Sequence, residues 1–113
     1  MNEEEVLAME AGIELDIAVH QKVVCRKASN LLHPLPKYSG NVLATWQVLR
    51  KLREEYWCIE IKIADGCRVI MELLRCLPIR VEVNAGTPFE KLPEAICKAA
   101  LLTRLVDTTK PST

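Results

Sequence analysis

Chemistry in this chain would have to come from a few side chains: two histidines, five cysteines, four glycines and the charged groups around them. Asp16 and His20 stand four residues apart, which on a helix sets them side by side; they could act as an acid–base pair, but a salt bridge is the expected role. His20 has no second histidine or carboxylate at metal-ligand spacing and is expected to be a surface or half-buried histidine, and His33, in an irregular segment beside Pro34 and Pro36, is expected to be a loop residue. Cys25, Cys58, Cys67, Cys76 and Cys97 are odd in number, contain no C-x-x-C pair and lie inside apolar segments. That pattern predicts reduced, buried thiols with no metal and no cofactor, because a free cysteine behaves as a small hydrophobe. Gly12, Gly40, Gly66 and Gly86 fall one to an element, so no loop is built to wrap a phosphate. No nucleophile stands with a base, and no catalytic residue is assigned. One polar group remains. Arg68, Arg80 and Asn84 are expected to meet at one end of a sheet on its polar face, where they would suit a nucleotide-type anion, solvated strand charges being the simpler role.

Three short strands must position those groups. YWCIEIKI, starting at Tyr56, places Trp57, Ile59, Ile61 and Ile63 on one face and Cys58, Glu60 and Lys62 on the other, the alternation of a half-buried strand. A two-residue turn at Asp65-Gly66 would pair Ile63 with Arg68 and mix the faces. A three-residue loop, Ala64-Asp65-Gly66 with a Gly66 bulge, instead pairs Ile63 with Cys67, Ile61 with Val69 and Ile59 with Met71. Setting Leu73 opposite Ile79 then brings Met71 to Val81, Val69 to Val83 and Glu72 to Arg80. Pro78, with no amide donor, suits the start of an edge strand.

Helices flank the sheet. Asn2 caps a first one with Glu3, Glu4 and Glu5 in its opening turn, and Val6, Met9, Ile13, Ile17 and Val24 continue its apolar stripe, with Gly12 marking a close helix crossing. Residues 26–37 are the longest irregular segment. Ser39 is expected to cap a second helix whose inward face is Val42, Trp46, Leu49 and Leu52, with Arg50, Lys51, Arg53, Glu54 and Glu55 as its solvated end. Thr87 to Glu90 has the form of a capping box, Pro93 suits the first position of a third helix, and Ile96, Cys97, Ala99, Ala100, Leu101, Leu102 and Leu105 wrap most of its circumference, leaving mainly Glu94 and Lys98 to water.

The expected class is α+β: a three-layer α/β/α-type sandwich in which a small antiparallel meander, about residues 56–83, is packed by helices at about 3–26, 40–55 and 93–106. The 113 residues make one domain, 1–113, with a frayed tail at 107–113. Half the residues are apolar and 27% are charged, which excludes a disordered chain. Fifteen basic and fifteen acidic residues cancel, making nucleic acid the least favoured partner. The apolar runs are too short to span a bilayer, and the acidic start MNEEE has the wrong sign for a signal peptide, so a cytoplasmic, membrane-free protein is expected. A third helix apolar nearly all round, and a sheet with two edges, predict a homo-oligomer, most simply a two-fold dimer joined through that helix, the strand at 79–83, or both.

MEAGIELDIAVHQKVV, PKYSGNVLATWQVLRKL and TPFEKLPEAICKAALL together resemble the phage ABA sandwich domain, a family of small phage and prophage proteins. The likeness spans roughly residues 9–102, and its most specific pieces are Tyr38-Ser39 followed by Trp46, and Pro93 with Ala95-Ile96-Cys97 and Ala99-Ala100-Leu101. Where family members commonly carry a tryptophan-rich hairpin, Trp57 stands alone here, and Arg68, Met71 and Glu72 fill the second strand. The resemblance implies an α/β/α sandwich and a phage accessory protein acting in the bacterial host, and it brings no established activity and no site residues. The function expected is a non-enzymatic binding or interaction module of unknown partner, a host protein and a small molecule both being candidates. The alternatives are an oligomeric protein that sequesters a nucleotide-type small molecule, or a small enzyme without a recognisable motif.

Overall fold

The computed structural model of the chain describes residues 2–24, 36–63, 66–73, 79–84 and 91–108, with side chains as far as 105 in the last segment. Four helices and three strands follow in the order α1 (Glu3–Ala8), α2 (Ile13–Val19) running into a π-helical turn (His20–Val24), α3 (Val42–Glu54), β1 (Cys58–Ile63), β2 (Cys67–Leu73), β3 (Ile79–Asn84) and α4 (Leu92–Thr108). The α+β class and the helix-packed antiparallel meander are as the sequence predicts.

Both strand pairings hold residue for residue. Ile63 faces Cys67, Ile61 faces Val69 and Ile59 faces Met71. Leu73 faces Ile79, Met71 faces Val81, Val69 faces Val83 and Glu72 faces Arg80. Agreement of the apolar faces leaves no other register, since a slip of one residue would turn every side chain over. Ala64, Asp65 and with them the expected bulge lie outside the described residues, as do residues 25–35, which hold most of the segment expected to be irregular and His33, Pro78 at the expected start of the edge strand, the capping box expected at Thr87–Glu90, and Cys25 and Cys76.

The N-terminal region departs from expectation. Asn2 does cap α1, through a reciprocal box in which the Glu5 amide donates to Asn2 Oδ1 at 2.9 Å and the Asn2 amide to Glu5 Oε1 at 3.1 Å. The helix then stops at Ala8 and restarts at Ile13. Gly12 is no helix crossing: a Cβ there would meet nothing within 4 Å, and its φ of 154° is one that side chains disfavour. The glycine stands at the break as the residue before α2, and beyond it Ile13 is exposed while Leu15, Ala18, Val19 and Val23 form the buried face.

On α3 the buried face is Thr45, Val48 and Leu52, with Val42 and Trp46 turned outward. Both sets have helical spacing. The Thr45 set wins because its hydroxyl is satisfied inside, donating to the carbonyls of Tyr38 and Asn41 at 2.8 Å each. The cap is Asn41, whose Oδ1 accepts from the Leu43 amide at 2.8 Å, and not Ser39. At its other end α3 closes in a Schellman motif: the Trp57 amide reaches Leu52 O and the Tyr56 amide reaches Arg53 O. Leu52 and Trp57, both buried, make the apolar contact of that motif. Tyr56 takes the left-handed position, at φ 72°, that glycine usually fills.

The last helix is apolar nearly all round because it is covered nearly all round. It touches β2 and β3 on one side and α1, α2, the π turn and α3 on the others. Ala95, Ile96, Cys97, Ala99, Ala100, Leu101 and Leu102 are all buried within the chain, so their apolar surface is already covered by the chain's own elements. Two polar ties hold it there. Lys98 bonds Glu94 and the Leu7 carbonyl at 2.9 Å each, so this pair is largely withdrawn from water. Arg104 makes a two-pronged ion pair with Glu55 and donates from Nε to the Lys22 carbonyl at 2.9 Å, fixing α4 to the ends of α3 and the π turn.

Candidate functional site

The Asp16–His20 pair is not the salt bridge that its spacing predicts. Asp16 Oδ1 instead accepts from the Ser39 amide at 2.8 Å and the Ser39 hydroxyl at 2.7 Å, while His20 Nδ1 lies 2.8 Å from Tyr38 Oη with the two rings stacked. The Gly12 amide donates to Ser39 Oγ at 3.0 Å. Asp16, His20, Tyr38 and Ser39 are all buried, so this network joins the Tyr38–Ser39 turn to α2 and presents nothing to a substrate. Partners 18 to 27 positions apart left no spacing signal. The physical reason for the bonds is burial: the π turn carries His20 into the interior, where a carboxylate and an imidazole need bonded neighbours.

Thiol chemistry is set by position. Cys67 and Cys97 are buried, but Cys58 is exposed, correcting the expectation that it lies in the core: it belongs to the face of β1 turned away from the helices. Burial, with the Asp16 and Glu94 carboxylates adding to it, pushes the Cys97 thiol far above its ordinary range, so it stays protonated and unreactive.

The three sheet residues are only partly brought together. Arg68 and Asn84 are register partners, and Arg68 Nε donates to Asn84 Oδ1 at 3.1 Å. Arg80 sits four positions away along β3 and is joined to them through Glu82, whose carboxylate takes Arg68 at 3.2 Å and Arg80 at 3.1 Å. Glu72, across from Arg80 in register, is not its ion partner. An incoming anion would therefore meet the Glu82 carboxylate already bonded to both guanidinium groups, and its repulsion disfavours a nucleotide there.

The exposed surface offers a different kind of site. On the first turns of α3, Leu43 is 75% exposed and Trp46 is 59% exposed, with Val42 beside them at helical spacing. Along β1, Ile61 and Ile63 are exposed while Ile59 packs against the core. The sequence contained these residues but assigned Trp46 and Val42 to the interior; the signal that could have found them is the second helical stripe through Thr45, Val48 and Leu52.

Four helices packed on a three-stranded antiparallel meander define an α+β sandwich with buried polar ties between its helices and apolar residues left outside on α3 and β1. The family model of the phage ABA sandwich domain matches residues 4–101, and the chain belongs to that family. No curated protein and no solved structure matches the chain. Among the described residues, no helix is long and apolar enough to cross a membrane.

Proposed function

We propose that this phage ABA sandwich protein is a non-enzymatic interaction module that engages a host protein in the bacterial cytoplasm through the first turns of α3. The observation that carries this reading is Trp46, an aromatic side chain held outside on a rigid helix with Leu43 and Val42 around it. Tryptophan is enriched among the residues that dominate binding energy, and a contiguous apolar cluster on a small domain is where a partner finds area to bury. The helix is a firm platform: its far end is closed by the Schellman motif and clamped through Glu55 to Arg104. Phage membership supplies the host context.

A host-lysate capture with the native chain, Trp46→Ala and Leu43→Glu tests the reading. The native chain should retain a stoichiometric protein that both variants lose, with at least about a thirtyfold weaker affinity for Trp46→Ala, as for an anchor of about 2 kcal/mol or more. Both substitutions lie on exposed positions, so the unfolding midpoint should stay close to that of the native chain. Retention of the same protein by all three chains would contradict the reading, and so would a nucleotide released in stoichiometric amount when the native protein is denatured.

A further inference from the structure

The edge of β1 carries a sequence that is complementary to itself. The sheet order is β1-β2-β3, so among the described residues β1 has one side without a strand neighbour, and every β1 residue except Ile59 is exposed. Along it run Ile59, Glu60, Ile61, Lys62 and Ile63. In an antiparallel pair, residues directly opposite share a face, so two copies of this strand keep their isoleucines together only when the paired residue numbers add to an even sum. Centring the two-fold axis on Glu60 sets Glu60 against Glu60, and centring it on Lys62 sets Lys62 against Lys62. Centring it on Ile61 sets each Glu60 opposite the Lys62 of the other copy, and each Ile59 opposite Ile63. Only this last register satisfies both the charges and the apolar face.

We propose that β1 pairs antiparallel with β1 of a second copy of this chain, about a two-fold axis at Ile61, making one continuous six-stranded sheet. This goes beyond the α3 reading: the partner is the chain itself and the surface is a different one. Within one copy the Glu60 and Lys62 side chains touch only loosely, at 4.0 Å, and both are more than half exposed, so little is lost when each turns to the other copy. Pairing covers Ile61 and Ile63 and extends the apolar row that already reaches the core at Ile59. The chain's formal net charge of zero leaves no overall repulsion between copies. An uncovered edge strand is a template for another strand, and a lysine on it usually blunts the edge; here Glu60 supplies that lysine with a partner in one arrangement only. An isologous contact closes at two copies, so the assembly ends as a dimer.

Sedimentation of the full chain tests this with charge variants. The native chain should approach twice 12.8 kDa at micromolar to tens of micromolar concentration. Glu60→Lys alone sets lysine against lysine, and Lys62→Glu alone sets glutamate against glutamate; each should raise the dissociation constant about tenfold or more. The double variant Glu60→Lys/Lys62→Glu should dimerise like the native chain. Mixing the two single variants one to one should produce a heterodimer, because each lysine then meets a glutamate, and a variant that had merely misfolded could not be rescued in this way. A native chain at 12.8 kDa throughout would overturn the proposal. A dimer indifferent to both single substitutions would also overturn it, and neither result would touch host capture through Trp46.

Discussion

The two edges of the sheet have nearly the same sequence pattern and opposite fates. CIEIKI in β1 and IRVEVN in β3 both alternate apolar with charged residues. Yet Val81 and Val83 are buried under α4, while Ile61 and Ile63, on the same face of the sheet, are left exposed. The charges differ in the same way: Glu82 binds both Arg68 and Arg80 within the sheet, whereas Glu60 and Lys62 are loosely paired and open. Alternation therefore reports that a strand has an apolar face, and only tertiary cover decides whether that face is filled by the chain's own helix or left for another molecule. Here α4 reaches β2 and β3, and β1 is touched from the helical layer by α3 alone among the principal contacts.

Thiol reactivity should show the contrast at its largest. Cys58 on the outer face of β1 should react with a thiol reagent at least about a thousandfold faster than Cys97, whose exposure requires a large opening of the α4 region. The pH dependence follows from the raised Cys97 value. The folded state holds its proton where the unfolded chain releases it, so this stabilisation is complete below about pH 9, the ordinary value, and is lost progressively above it. Urea unfolding should thus show a native stability that falls as pH rises past 9, and Cys97→Ala should remove that part of the fall.

A charge placed on each edge comes next. Val81→Asp puts an unpaired carboxylate under α4 and should cost about 3 kcal/mol or more in urea unfolding, while Ile61→Asp, measured below the association range, should cost less than about 1 kcal/mol. Equal costs would mean that the two edges are not distinct. Arg104→Ala should cost about 2 kcal/mol, because it removes the two-pronged bond to Glu55 and leaves the Lys22 carbonyl without this donor, loosening the helix that covers β3. The smallest effect is at the entry to β1. Tyr56→Gly relieves the left-handed backbone at φ 72° and should stabilise the fold by about 0.5 to 1 kcal/mol in the same measurement.

The sheet was legible in the sequence because its information is local and redundant: the isoleucine alternation, Gly66 and Pro78 all agree on one register. The family was legible through Tyr38-Ser39, Trp46 and the Ala-rich last helix. The helix break at Gly12 was not, because Met9 and Ile13 continue the apolar spacing across it and the backbone angle that stops the helix leaves no trace in periodicity. The outward face of α3 was misread for a related reason: a threonine looks polar until Tyr38 and Asn41 offer it carbonyls. Asp16 and Ser39 are joined only by the tertiary fold, so their bond could not be seen beside the closer and wrong partner His20. The cover of α4 was equally remote, since it depends on α1 and α2 folding back over a helix some eighty residues further along.

Concentration-dependent amide hydrogen exchange tests the difference between the edges most directly. Between dilute and concentrated solutions, amides of Cys58 to Ile63 should gain protection as β1 acquires a strand partner, while those of Ile79 to Asn84 stay unchanged. Protection gained at β3 or α4, or no change at β1 while the mass doubles, would contradict the account.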